Sequence, residues 1–452
     1  MHPLLVSRVV FPLIEYAKRK PTRARLRELE RSQWLPPETI RARQLERLRQ
    51  HLDFAYREVP YYTRLFDEHG VKPAAMERLE DLARIPCLTK DIIRSRFADL
   101  QPRNRPRHVQ AISSGGSTGA PVRVLVDMDR MAFTDAARLR AHRWFEVGMG
   151  AREVVLWGSS IELTAQDRIR RLRDRLINSR LLSAFDLSEQ ALDHYAEVIR
   201  RERPQKLFGY ASALHRLAAY LQRTGWVREP GWPRAVFTTA EPLYDFQRAT
   251  IEAVFGCPVS VEYGCRETGF VAAQCPAGGL HIAAEGLVVE ALEDGELVLT
   301  HLDARAMPLI RYRTGDVGSF VDGPCSCGRG LPRLGPIQGR VTDFIVTPRG
   351  KVMHALALIY VLREAPGVTE FQVVQDRVDH LTLTLVPGQG FSPSAQATVT
   401  SRLSNLLDDA VQIDVTLADS IPHPSSGKHR HVISKVADGV LGVAGADRAS
   451  AR

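Results

Sequence analysis

A chain of 452 residues, 44% hydrophobic and 7% aromatic, has enough apolar side chains for more than one core, which excludes a disordered tether or a small disulfide-stapled domain. Its formal charge of +9 is spread along the chain in clusters such as "RIRRLRDR" at 168–175, which read as solvated helix faces, so nucleic acid is not required and anionic small molecules suit the charge equally well. No stretch approaches the roughly 20 apolar residues of a transmembrane segment, and a cytoplasmic protein is expected.

The opening "MHPLLVSRVVFPLIEYAKRK", interrupted by Arg8 and Glu15, reads as a helix packed on its own domain, with contact to a membrane or a partner as the alternative. Residues 39–57 place Leu45, Leu48, Leu52 and Ala55 on one helical face behind Thr39 as a cap. From about residue 150 strand and helix signals alternate. "EVVLWG", "KLFGY", "RAVFTTA" and "PVSVEYG" are strands, and 189–202, 211–224 and 243–255 are helices. That order predicts parallel α/β layers with functional loops at the strands' carboxyl ends. "GLVVEALEDGELVLTHL" is a hairpin about Glu-Asp-Gly and marks a change to antiparallel pairing.

After "GPIQGR" the order strand, helix, two strands, helix, strand spans about one hundred residues, the size of a small α+β domain. The tail from 437 has little to bury and is expected to be disordered. The expected division is 1–100, a helical region belonging to the large domain; 101–339, the binding core; 340–436, a small mobile domain; and 437–452, the tail.

Two clusters ask for chemistry. In "AISSGGSTGAPVRV" the glycines Gly115, Gly116 and Gly119 allow backbone N–H groups close to oxygens, and Ser113, Ser114, Ser117 and Thr118 add hydroxyls, the makings of a phosphate cradle. The stretch is not the G-x-x-x-x-G-K-S/T pattern, and a Ser/Gly-rich loop on its own is more often a linker than a nucleotide site. Four of the six cysteines fall between Cys265 and Cys327. Cys275, Cys325 and Cys327 with His281 supply three thiolates and one imidazole, the donor set of a closed structural Zn²⁺ site, although C-x-C is tighter than the usual C-x₂-C. Cys265 reads as a packing residue.

Downstream of the Ser/Gly stretch stand "TTAEP", "YGCRETG", "IRYRTGD", "GRVTDFI" and "SSGKHR", in that order. Together they resemble the adenylate-forming, acyl-activating superfamily over nearly the whole chain. "VPYYTRLFDEHGV" and "RIPCLTKDIIR" are similar to the phenylacetate–CoA ligase branch, and "YGCRE", with Arg266 where Ser or Thr is commoner, looks like its capsular-polysaccharide-type homologues. The resemblance implies a large N-terminal adenylate-forming domain, part parallel α/β and part antiparallel and barrel-like, with a small α+β C-terminal domain.

It implies that Ser114 to Gly119 hold ATP phosphates, with Thr118 donating a hydroxyl. Further nucleotide contacts would come from Ala240, Glu241, Pro242, Glu262, Tyr263 along the adenine, and Gly264. Glu267 would hold Mg²⁺, Asp316 the ribose hydroxyls, Arg340 the ribose or a phosphate, and Lys428 the charge that builds during adenylation. The implied substrates are a carboxylic acid, ATP (leaving AMP) and CoA; a homodimer stays open. Ala120 stands where a lysine is common, and the hinge aspartate falls at Thr342, beside Asp343. Transfer to an amine, a hydroxyl or a cofactor, and a degenerate nucleotide-binding scaffold, remain as alternatives.

Overall fold

The computed structural model describes residues 1–113, 122–158, 173–184, 186–337, 344–363, 365–407, 409, 411–421 and 431–436. The Ser/Gly stretch from Ser114 to Ala120, Arg340, Thr342, Asp343, Lys428 and the tail from 437 lie outside the described residues.

The largest element is a nine-stranded mixed sheet. Five parallel strands follow one another in the spatial order Ser179–Ser183, Glu153–Trp157, Lys206–Tyr210, Ala235–Thr239, Val259–Cys265. Four antiparallel strands continue it: Gly269–Gln274, Leu280–Ile282, Arg333–Leu334 and Phe320–Val321. The helices Glu189–Glu202, Ala211–Arg223 and Asp245–Phe255 carry the crossovers between the later parallel strands and share one core with them, including Leu192, Leu217, Val236 and Phe255.

The change to antiparallel pairing comes earlier than the hairpin signal predicts, at Gly269. Only three residues, Arg266 to Thr268, separate the strands Val259–Cys265 and Gly269–Gln274, far fewer than a parallel crossover needs. Ser179–Ser183 escaped the pattern because a single one of its five residues, Leu182, is buried, which leaves no alternation to read.

The predicted hairpin pairs Leu287–Ala291 with Glu296–His301, and Tyr312–Val317 adds a third strand. Against this sheet packs the helix Pro37–Glu58, burying Leu48, Leu52 and Ala55, with Leu45 half-buried. Thr39 is not its cap: the helix begins at Pro37, whose fixed φ suits a first helical position, and the flanking residue is Pro36. Gln44, on the same buried side, donates from Nε2 to Leu287 O at 2.6 Å.

The opening residues form a continuous helical run, Pro3–Leu5, Val6–Val10 and Phe11–Lys18, packed on the body of the protein along one side only. Val6 is the one buried residue of the run, and Leu4, Leu5, Val9, Leu13 and Tyr16 are exposed. Among the described residues no helix is long and apolar enough to cross a membrane.

In the C-terminal segment four strands lie in the order Gln412–Leu417, His380–Pro387, Val368–Arg377, Val432–Ser434, and the helices Leu356–Arg363 and Pro393–Leu406 share their core. The last strand was not predicted. It is three residues long and pairs parallel to Val368–Arg377. Phe344–Val346 forms a separate hairpin with Val352–His354. Because side chains alternate along a strand, Ile345 joins the C-terminal core while Val346 joins that of the parallel sheet.

Candidate functional site

Three of the motifs, "TTAEP", "YGCRETG" and "IRYRTGD", lie at or beside the carboxyl ends of the parallel strands. The Ser/Gly stretch is carried by an antiparallel hairpin, Val109–Ser113 with Arg123–Asp127, in which Ser113 faces Arg123 across the ladder. Arg266, on the turn after Val259–Cys265, donates from Nη1 to Ser113 O at 3.0 Å and so ties this hairpin to the carboxyl edge of the sheet. Asp127 closes the hairpin's other side. Its Oδ1 accepts from Arg130 N at 2.9 Å, capping the helix Met128–Arg143, and its Oδ2 accepts from the amides of Arg305 and Ala306, each at 2.8 Å.

Two carboxylates are each held by a tyrosine hydroxyl. Tyr263 donates to Asp316 Oδ2 at 3.1 Å, and Tyr312 donates to Glu267 Oε1 at 2.8 Å. Tyr312 and Asp316 belong to one strand, Tyr312–Val317, and Tyr263 and Glu267 to the end of another and its turn, so the two motifs interlock. Glu267 is buried, and its second oxygen makes no hydrogen bond among the described residues. Burial and the Asp316 carboxylate hold the Tyr263 hydroxyl well above its ordinary range, which keeps it a donor. An oxygen-only donor of this kind fits a hard cation such as Mg²⁺, and Asp316, an acceptor on both oxygens, fits sugar hydroxyls.

Glu262 is placed differently from its neighbour. Adjacent residues of a strand face opposite sides, and the Glu262 side chain turns to the helix Met128–Arg143, where Arg138 Nε lies 3.0 Å from Oε2 and His142 Nε2 2.6 Å from Oε1. With both oxygens engaged, any nucleotide contact at 262 falls to the backbone. His142 Nδ1 lies 3.0 Å from Lys206 Nζ, which pairs with Glu153 at 2.6 Å. A neutral imidazole serves both neighbours, donating to Glu262 and accepting from Lys206. Burial, with Lys206 next, pushes His142 down to about 4. Burial opposes ionisation of Glu262, yet Arg138, His142 and Lys206 outweigh it and hold the carboxyl below its ordinary range.

In the "TTAEP" turn Ala240 has φ 68°, the left-handed region that costs an alanine energy. Glu241 is fixed by Ser212, whose amide donates at 3.0 Å and hydroxyl at 2.5 Å to Oε2, and Pro242 follows, half-buried. Gly264 is required by close approach: a Cβ there would lie 2.4 Å from Gly269 O. Cys265 is confirmed in packing surroundings, 2.9 Å from Thr268 Oγ1 with its thiol pushed up to about 12 by burial, so it is no nucleophile at neutral pH.

Sequence reading passed over Tyr312, although it lies inside a quoted motif, and Arg130, whose Nη2 donates to Arg266 O at 3.0 Å beneath the Glu267 turn. Burial lowers Arg130 to about 10, against the opposing influence of Cys265 and Asp127. Strand alternation carries a signal for Tyr312, since Tyr312 and Thr314 share the buried side. Arg130 has none, because nothing local distinguishes it from the other arginines of its helix.

A second cluster lies toward the antiparallel edge. Cys275 Sγ is 3.7 Å from Cys325 Sγ, His281 Nε2 is 3.2 Å from Cys327 Sγ, and all four donor atoms lie within 4.8 Å of one another. A tetrahedral zinc with Zn–S of about 2.3 Å sets S···S near about 3.8 Å and S···N near about 3.6 Å, so the donors fit that ion. His281 Nδ1 lies 3.1 Å from Leu331 O, a bond that needs Nδ1–H and leaves Nε2 free to ligate.

Tight turns present the thiols: Gly278 N donates to Cys275 O at 2.8 Å and Gly328 N to Cys325 O at 3.0 Å. Gly279 leaves room for them, because a Cβ there would lie 2.9 Å from Cys325 Sγ. His281 pairs with Ala273, which pairs with Glu262, so the cluster sits two strands from the tyrosine–carboxylate pairs.

A family model, the CapK C-terminal domain, matches residues 345–435. The chain is 29% identical over 374 residues to a phenylacetate–coenzyme A ligase of Thermus thermophilus, covering 76% of this chain and 80% of the relative. It is 23% identical over 357 residues to the CapK protein of Staphylococcus aureus, covering 76% and 77%. Among solved structures, 2-hydroxyisobutyryl-CoA ligase in complex with 2-HIB-AMP and CoA superposes with a TM-score of 0.60 at 20% identity, over 91% of this chain and 93% of that one. Sequence and fold point the same way: the chain is similar to phenylacetate–CoA ligases and to CapK, and it shares the fold of the 2-hydroxyisobutyryl-CoA ligase structure.

Proposed function

We propose that the protein adenylates a carboxylic acid with ATP and passes the acyl group to CoA. In the first step a carboxylate oxygen attacks the α-phosphorus, the bond to pyrophosphate breaks, and acyl-AMP and pyrophosphate result. In the second the CoA sulfur attacks the acyl carbon, AMP leaves and the thiol proton goes to solvent. The observation that carries the reading is the interlock of Tyr263–Asp316 with Tyr312–Glu267 at the foot of the hairpin that bears the Ser/Gly stretch.

In this reading Asp316 accepts from the ribose, Glu267 holds Mg²⁺ against the phosphates, and Ser114 to Gly119 cradle them, with Arg340 as a second contact. Lys428 stabilises charge between carboxylate and α-phosphate. Cys275, His281, Cys325 and Cys327 hold one structural Zn²⁺ with no open position for substrate.

A pyrophosphate-release assay over a panel of aromatic and aliphatic acids, with and without CoA, tests it. Pyrophosphate is expected only when an acid is present, with a CoA thioester by mass when CoA is added. Lys428→Ala should slow adenylation by about two orders of magnitude or more while ATP affinity stays within about twofold. Orthophosphate in place of pyrophosphate, or nucleotide turnover independent of acid, would overturn the proposal.

A further inference from the structure

We propose that the opening helical run docks the protein, peripherally, on an anionic lipid surface. The run is fixed to the body on its inner side. Asn178 Nδ2 donates to Met1 O at 3.0 Å and to Gly150 O at 2.8 Å. Gly150, at φ 81°, lies so close that a Cβ there would sit 2.6 Å from Pro3 O. Val6 is buried, and Glu15 takes the Arg23 amide at 2.7 Å and its Nε at 2.5 Å.

The outer side is an apolar ridge. Leu5, Val9, Leu13 and Tyr16 recur at spacings of four, four and three, so they share one face. Leu13 is 63% and Tyr16 87% exposed, and Leu4 beside them is 54% exposed. Leu176, also exposed, lies two residues along the chain from the Asn178 anchor. Contiguous exposed apolar surface of this kind on a soluble fold marks an interaction site.

Charge chooses the occupant. Arg8, Lys18 and Arg19, with Arg175 beside Leu176, are exposed and have no acidic partner among the described residues. The one carboxylate of the run, Glu15, is turned inward to Arg23. An apolar ridge bordered by cations, with no exposed carboxylate of its own, complements acyl chains beneath anionic headgroups. A second copy is disfavoured, because a two-fold interface on this face would set Arg8, Lys18 and Arg19 against the same cations of its mate. A run of exposed aliphatic side chains has no role against a nucleic-acid backbone.

The test sediments the full chain with phosphatidylcholine vesicles, with and without phosphatidylglycerol, at low and high salt. The bound fraction should be several-fold higher with phosphatidylglycerol and fall as salt rises. Leu5→Ser with Leu13→Ser should reduce it by about tenfold, with melting temperature unchanged since both side chains are exposed. Arg8→Gln with Lys18→Gln should abolish the preference for phosphatidylglycerol. Equal sedimentation with both vesicle types, or full binding by the serine variant, overturns the proposal. So does a concentration-dependent dimer in vesicle-free solution that the serine substitutions abolish, which would assign the ridge to a second copy.

Discussion

Asp316 shows how a single residue acquires a function that its local setting does not state. In "YRTGD" it reads as the acid of a turn, and the hydroxyl of Tyr263, 53 positions earlier, is what holds its carboxylate. Asp316→Asn exchanges one acceptor oxygen for a donor, which spoils the acceptance of both the tyrosine and a sugar hydroxyl. We expect the KM for ATP to rise by about tenfold, equivalent to about 1.4 kcal/mol, with kcat altered by less than about threefold. Steady-state pyrophosphate release measures both, and an unchanged KM would remove Asp316 from the nucleotide site. Glu262 teaches the converse. It stands beside Tyr263 in the motif, yet alternation along the strand commits its side chain to Arg138 and His142.

At the scale of the element, short turns do the positioning. The three-residue turn that carries Arg266 and Glu267 forces the antiparallel strand Gly269–Gln274, and that strand leads directly to Cys275. The cysteine turns then join the ends of strands that few ladder bonds secure, since Leu280–Ile282 and Arg333–Leu334 are only three and two residues long. A metal there should contribute folding free energy. Purified without chelators, the protein should carry about one zinc per chain, and Cys325→Ser should lose it and melt several degrees or more lower, while folded variant still forms acyl-adenylate. Metal analysis without zinc, or an unchanged melting temperature, counts against the site. Lost adenylation in a well-folded, metal-free variant would move the zinc into the chemistry.

For the whole molecule, buried histidines govern the response to acid. Burial pushes His51 down to about 3 and His142 to about 4, from an ordinary 6.5. In the unfolded chain both take a proton as pH falls below about 6.5, whereas the folded chain resists until near 4 or lower. Between those values the unfolded state binds more protons, so stability is complete above about pH 6.5 and is lost as pH falls. Each histidine adds a slope of up to about 1.4 kcal/mol per pH unit. Asp303 and Glu290, raised by burial, work in the opposite sense near the foot of that window. The melting temperature should drop by several degrees from about pH 7 to about pH 5. His142→Gln, which keeps a donor for Glu262 and an acceptor for Lys206 without titrating, should make the fall shallower. A variant with the wild-type slope would show that His142 does not contribute.

The sequence by itself determined whatever depends on local periodicity or on residue type. Apart from Ser179–Ser183, the alternation of strands and helices from 150 to 265 was legible, as were the Glu-Asp-Gly hairpin, the thiol and imidazole donors and the five ordered motifs, because apolar spacing, turn chemistry and donor type are written within a few residues. Tertiary structure alone decided which of them meet. Tyr312 with Glu267, Arg266 with Ser113, and Arg130 beneath the Glu267 turn are pairings across 45 to 153 positions. No local pattern encodes them, since they arise only when strands distant in the chain are registered side by side. The exposure of the opening helix was undecidable for the same reason. Its apolar residues have the spacing of a core-facing helix, and whether a partner surface covers them depends on where Gly150 and Asn178 anchor its other side.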